Sequence, residues 1–483
     1  MKANVAMKLT IVTFLLSACA MSGEKREEIG KPAESIPAGI KEVKTSNDAR
    51  LRKFSEHTLS NGLHVLLVKD QSLPFVTYQL MVKTGYSSDP AELSGLNQIV
   101  ASMLEKGTQK RNANQISDEL ALIGADFEAT VDADYTYLLG SGLSFNREPL
   151  LDQFIEIVTK PSFAVGEIDK IKRRILDHIT QLVDEPNSLA DIAFDRFLYG
   201  SHPYSKTSFG TKETVRNIHR SAIIRHFLQY YRPNNSIMAV TGNYSDDILQ
   251  QLEIRLKDWK PRPVKAVSYE PVPKIEKNEV RFLDKSDLTQ AQIRVGQEGI
   301  PRTDKAFLTL RIANTILGQG FSSRLVDQVR DNLGLTYHIS SDMDAKLATG
   351  DITISTFTRN NKVGEALTQI LNIFDKFVAD GVTPAEVASA KGQMLGNFGR
   401  SLETSERVAF NLLLLRYFGI SDDYLSHYQD SLEDISVADV NRTIKTYFHP
   451  GHLKILVYAN KKEVLSQLDP WKPIEIKEAS DLR

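Results

Sequence analysis

The chain has 483 residues, 41% hydrophobic and 25% charged, with a formal net charge of −2. That length allows two to four domains of about 100–200 residues each, and the composition is that of an ordinary globular protein. The near-neutral charge and the absence of a long basic run argue against nucleic-acid binding through a phosphate footprint. The single cysteine, Cys19, excludes a disulfide framework and a cysteine-built zinc site.

At the N-terminus, Lys2 and Lys8 flank the start of an apolar stretch from Leu9 to Ala20. It is too short to span a bilayer and suits a signal-peptide core. It runs into Leu16-Ser17-Ala18-Cys19, which resembles a bacterial lipobox. There, small residues admit the processing peptidase and the thiol takes a lipid. Residues 1–18 are therefore expected to be a signal peptide and Cys19 a lipidation site. Ala20 stands where an aspartate would retain the chain at the inner membrane, so the expected location is the cell envelope, on the outer membrane facing the periplasm. Residues 19–50 are polar, with Gly23, Gly30, Pro32 and Pro37, and read as a lipidated flexible tether.

The first folded stretch, 51–260, opens with two strand-like runs, His64–Val68 and Val76–Val82. In Gly95–Thr108, Leu96, Ile99, Val100, Met103 and Leu104 recur at helical spacing and mark a buried face. The other stripe carries Gln98, Ala101, Ser102 and Glu105, and Gly107 is placed to end the helix. A third strand is expected over Ala133–Leu138. A helix opens near Glu167-Ile168, and Gly200-Ser201-His202-Pro203-Tyr204 reads as a structural loop. Tyr231-Arg232-Pro233 then turns into a buried strand ending at Asn243.

Lys260-Pro261-Arg262-Pro263, with Pro271 and Pro273, marks a linker over 261–277. The second stretch, 278–475, echoes the first. Phe448-His449-Pro450 leads into a buried strand ending at Asn460, ten residues from proline to asparagine, as from Pro233 to Asn243. Pro233 and Pro450 stand 217 residues apart, and the helix openers Glu167 and Glu386 stand 219 apart. The fold class expected is α+β: two duplicated domains, each a largely antiparallel sheet with helices packed on one face. Gly318-Gln319-Gly320 follows an apolar helix and lacks a third glycine, which argues against a phosphate loop. His449 and His452 are the closest histidine pair, and they fall in the proline turn, where turn residues are the better reading.

Taken as an ordered set, these segments resemble the insulinase-like (pitrilysin) metallopeptidases, family M16, over about 45 to 475. The set comprises Leu59-Ser60-Asn61-Gly62-Leu63, Gly95-Leu96, Met103-Leu104, Gly107-Thr108, the His202 loop and Gly318–Tyr337. The resemblance implies a LuxS/MPP-like fold. It also implies a zinc motif, His-x-x-Glu-His, at 98–102, and here the chemistry departs. Gln98 and Ser102 replace the two histidines, and Ala101 replaces the general-base glutamate. Catalytic zinc needs about three protein ligands and a base for its water. The place of the family's third ligand, a glutamate, falls on His178, 76 residues after Ser102. No metal is expected in this chain. Arg330 and Tyr337, seven residues apart, match the family's pair that binds substrate and stabilises the oxyanion. The resemblance therefore implies the zinc-less subunit of a two-chain bacterial peptidase, inactive alone. It would lend Arg330 and Tyr337 in trans to a His-x-x-Glu-His partner that carries the zinc, with peptides as substrates. The alternative is a peptide-binding or structural lipoprotein with no hydrolytic role.

Overall fold

The computed structural model describes residues 40–46, 53–265, 267 and 269–479. The signal-peptide and lipid-anchor readings, Cys19 included, lie outside them. The first half contains β1 (Lys41–Ser46), β2 (Phe54–Thr58), β3 (His64–Lys69), β4 (Phe75–Val82), β5 (Ala125–Val131), β6 (Thr136–Leu143) and β7 (Ser236–Gly242). Its helices are α1 (Leu96–Met103), α2 (Ala113–Leu122), α3 (Arg147–Thr159), α4 (Val165–Gln181), α5 (Pro186–Tyr199), α6 (Lys212–Asn217), α7 (Arg220–Tyr230) and α8 (Ile248–Leu256). The second half contains β8 (Glu279–Asp284), β9 (Gln290–Glu298), β10 (Ile339–Ala345), β11 (Gly350–Arg359), β12 (Lys454–Ala459) and β13 (Ile474–Glu478). Its helices are α9 (Phe307–Gly318), α10 (Val363–Asp380), α11 (Pro384–Ser401), α12 (Ser405–Phe418), α13 (Asp423–Ser426), α14 (Tyr428–Asp434) and α15 (Val437–Tyr447). No helix among the described residues is long and apolar enough to cross a membrane.

The strand orders, β1-β2-β3-β7-β4-β6-β5 and β10-β11-β9-β12-β8-β13, display the duplication. In each half the closing strand slots into the sheet's middle. β7 runs parallel to β3 and antiparallel to β4; β12 runs parallel to β8 and antiparallel to β9. Every residue of β7 and of β12 is buried, which is why both read as unbroken apolar runs. Edge strand β5 instead alternates in exposure beyond its first residue.

One face of each sheet carries its own half's helices, as expected. The second face is covered too, by a single helix from the other half. Val408, Ala409, Leu412, Leu413 and Leu415 of α12 pack on Leu66, Val68, Met81, Ile237 and Ala239 of the first sheet. Leu189, Ala190, Ala193, Phe194 and Leu198 of α5 pack on Leu283, Leu456 and Tyr458 of the second. A fully buried leucine contributes roughly 1.5–3 kcal/mol, so each half depends on its exchanged helix. The two helices are each 14 residues long and begin the same 219 residues apart as the two glutamates.

Polar contacts tie the same seam. Arg294, 1% exposed, donates to Asp191 at 2.6 Å and to Asn187 Oδ1 at 2.8 Å on α5. Asp134 accepts from Tyr204 and Tyr269 hydroxyls, each at 2.9 Å, and from the Leu347 N–H at 2.9 Å.

Three segment boundaries differ from the sequence reading. Strand β1 lies inside the stretch read as tether: Lys41–Ser46 pair antiparallel with β2, whose outer edge otherwise offers unpaired backbone groups. The linker 261–277 is partly packed, with Val272 buried and Tyr269 bonded to Asp134. The second half continues through β13 to Glu478, past residue 475, because β13 adds a parallel edge to β8.

Candidate functional site

Helix α1 is seated by its apolar face: Ile99, Val100, Met103 and Leu104 are fully buried. Its N-terminus is held by Asp89, whose carboxylate accepts from the Gly95 N–H at 2.8 Å and the Asn97 N–H at 3.0 Å. Burial pushes the Asp89 carboxyl up to about 7, against the pull of those same hydrogen bonds. Asn97 Oδ1 in turn meets His226 Nε2 at 2.9 Å, and burial drives that imidazole down to about 3. His226 is therefore a neutral core residue.

On the other stripe the Gln98 side-chain amide donates to Ser102 Oγ at 3.1 Å, one helical turn on. Both are half-buried, while Ala101 is fully buried. The donor set does not fit zinc: an amide and a hydroxyl already bonded to each other, with a methyl group where the base would stand. Among the described residues no group of three His, Cys, Asp or Glu could hold a metal ion. His178, on α4, packs against the Phe209 ring at 4.3 Å. His202 accepts from the Tyr204 N–H at 3.1 Å and stacks on Tyr269, so it shapes its loop. His449 and His452 stand with ring centroids 6.5 Å apart.

Arg330 and Tyr337 sit in the other half, on a frame that begins at the glycine turn. A Cβ at Gly318 would lie 2.4 Å from the Ser341 backbone nitrogen, and Gly320 holds φ +95° against the Gln393 amide. Only glycine suits either position. Arg324 clamps the turn from below. Its guanidinium forks onto Glu386 at 2.7 and 3.0 Å and donates to the Gly381 carbonyl at 2.7 Å. Glu386 also closes the capping box that starts α11 with Thr383. The chain then runs through a π-helical stretch, Val326–Asn332, that contains Arg330. Such turns often mark functional positions.

Arg330 donates to its neighbour Asp331 at 2.7 Å, and that carboxylate raises the guanidinium pKa further. Tyr337 follows seven residues on. Its anchor is Thr336, whose hydroxyl donates to the His338 carbonyl at 2.8 Å and accepts from Thr356 at 3.0 Å. The phenol itself projects outward, 86% exposed. Helix α1 packs on α4, α7 and β5, and the Arg330 stretch on β10 and α10, so different halves carry the two groups. Sequence reasoning missed Arg324 and Glu386 as the clamp; the Thr383-to-Glu386 capping spacing is the signal that points to it.

The fold and the site together define a duplicated two-sheet protein whose first-half helix α1 carries no metal donors at Gln98, Ala101 and Ser102, and whose second half presents a half-buried Arg330 and an exposed Tyr337. Two family models match the chain: insulinase (peptidase family M16) over residues 64–212 and peptidase M16 inactive domain over residues 217–394. The chain belongs to peptidase family M16. It is 24% identical to the uncharacterized zinc protease YmxG of Bacillus subtilis over 408 residues, covering 84% of this chain and 98% of that one. An uncharacterized zinc protease of Rickettsia felis is 29% identical over 359 residues, covering 74% and 85%. Among solved structures, a peptidase M16 inactive domain from Pseudomonas fluorescens matches with TM-score 0.78 at 23% identity, over 84% of this chain and 97% of that one. The periplasmic protease PqqL from Escherichia coli matches with TM-score 0.73 at 16% identity, over 92% of this chain and 49% of PqqL.

Proposed function

We infer that this protein is the zinc-less subunit of a two-chain M16 peptidase, inactive alone, which lends Arg330 and Tyr337 to a zinc site in a partner chain. One observation carries the reading: the metal positions hold Gln98, Ala101 and Ser102, while the guanidinium and phenol remain presented on the surface. Zinc in the partner would supply activated water. The work of this chain is to receive the charge that develops on the substrate. As the peptide carbonyl becomes tetrahedral, the Tyr337 O–H and an Arg330 N–H donate to the oxyanion and hold the backbone in place. Docking of the partner over the pair would exclude water and strengthen both bonds. PqqL, with about twice the chain, is of a size to hold two such units in one polypeptide. Peptides bound extended along a strand edge of the partner are the substrates this arrangement suits.

The envelope is the proposed location, through a lipid on Cys19 and the outer membrane facing the periplasm. The test uses the processed chain with zinc and a quenched peptide, alone and mixed with a His-x-x-Glu-His chain encoded beside it. Cleavage by the mixture only, crippled by Arg330→Ala or Tyr337→Phe, supports the reading. Chelator-sensitive cleavage by this chain alone refutes it. Peptide binding without cleavage by any combination favours a capture lipoprotein.

A further inference from the structure

Phe321 follows the turn glycine Gly320 and is 83% exposed, although its neighbours fix the turn around it. The Ser323 hydroxyl donates to the Gly320 carbonyl at 2.9 Å, closing the loop beneath the ring. The guanidinium carbon of Arg330 lies 5.4 Å from the Phe321 ring centroid, a cation–π contact. Phe321 and Tyr337 are exposed and Arg330 is half-buried, and the Phe321 ring is apolar area that the core does not use.

We propose that Phe321 is a specificity-determining residue that receives an apolar side chain of the peptide beside the scissile bond. The inference rests on the in-trans role given to Arg330. Successive residues of an extended peptide are about 3.8 Å apart, so with Arg330 on the reacting carbonyl a ring 5.4 Å from its guanidinium is within reach of a side chain flanking that carbonyl. The ring face offers an aliphatic or aromatic group a contact surface, and it offers a small polar group nothing.

The experiment uses the reconstituted two-chain enzyme and two quenched peptides that differ at one position flanking the cut, leucine in one and serine in the other. The readout is the ratio of their kcat/KM values, with association of the two chains titrated in parallel. Phe321→Ala should lower the leucine-to-serine ratio about tenfold, the scale set by apolar pocket contacts, and Phe321→Leu should keep most of it. An unchanged ratio overturns the proposal; if association weakens at the same time, Phe321 is a subunit contact instead. An inactive wild-type mixture overturns the in-trans reading, and this inference with it. Since Phe321 is exposed, neither substitution opens the core.

Discussion

Glu56 provides the sharpest test of how the halves are held together. It lies on β2 and is 2% exposed. It meets His64 Nε2 at 2.8 Å and the Arg416 guanidinium of α12, whose Nε donates at 3.0 and 3.1 Å. Burial pushes its carboxyl upward, but the hydrogen bonds from His64 and Arg416 and the Arg416 charge pull it from 4.5 down to about 2. At about 1.4 kcal/mol per tenfold, that fall is worth roughly 3 kcal/mol of folding stability. The sign follows from the native carboxyl being the stronger acid. The stabilisation is complete above pH ~4.5 and drains away as pH falls toward ~2, where the native form also takes up the proton. Urea titrations of the wild type and Glu56→Gln between pH 7 and 2.5 should therefore show a gap of about 2–4 kcal/mol near neutrality that closes at the acid end. Arg416→Met should behave in parallel, its loss shrinking as Glu56 is protonated. A gap of constant size across that range would refute the reasoning, because the link would then rest on packing alone.

In the two-chain assay, Arg330→Ala and Tyr337→Phe should each lower kcat by roughly 10²–10³-fold. Thermal melts should show little change, since neither side chain supports the core. Gly318→Ala drives a Cβ to 2.4 Å from backbone that cannot yield. It should cost about 1–3 kcal/mol by calorimetry, whereas Gly392→Ala in α11, with nothing within 4 Å, should gain about 0.5–1 kcal/mol. Ala101→Glu restores one residue of the zinc motif at a fully buried position. Its unpaired carboxyl should lower the melting temperature by a cost of roughly 1–3 kcal/mol, and dialysis against zinc should leave no stoichiometric metal.

What could be read without coordinates was whatever depends on local pattern. The proline turns at Pro233 and Pro450 lead into β7 and β12, whose apolar runs mark central strands. The spacing of Leu96, Ile99, Val100 and Met103 marks the buried face of α1, and Gln98 and Ser102 on its other stripe are absent ligands in any fold. Position relative to the second sheet could not be read, because that is a long-range pairing. Helix α12 illustrates why. Its leucines cover the first sheet, and Phe410 and Tyr417 meet Tyr137 and Tyr135 of the same half at 5.0 and 5.5 Å. A helix apolar on more than one side announces that it is enclosed, but not which half encloses it. The same holds for Asp134, Arg294 and Arg324: each is an ordinary charged residue in the chain, made structural by partners far along it such as Leu347, Asp191 and Gly381. The exchange of α5 and α12 also bears on function. It sets the two pseudo-equivalent sheets in one fixed unit, so Arg330 and Tyr337 stand on a platform braced from both halves. The in-trans role proposed for the pair would call for such a platform, because the reacting carbonyl would be held by another polypeptide. On that proposal, loosening the seam at neutral pH with Glu56→Gln should lower the activity of the two-chain mixture at temperatures where this chain is still folded.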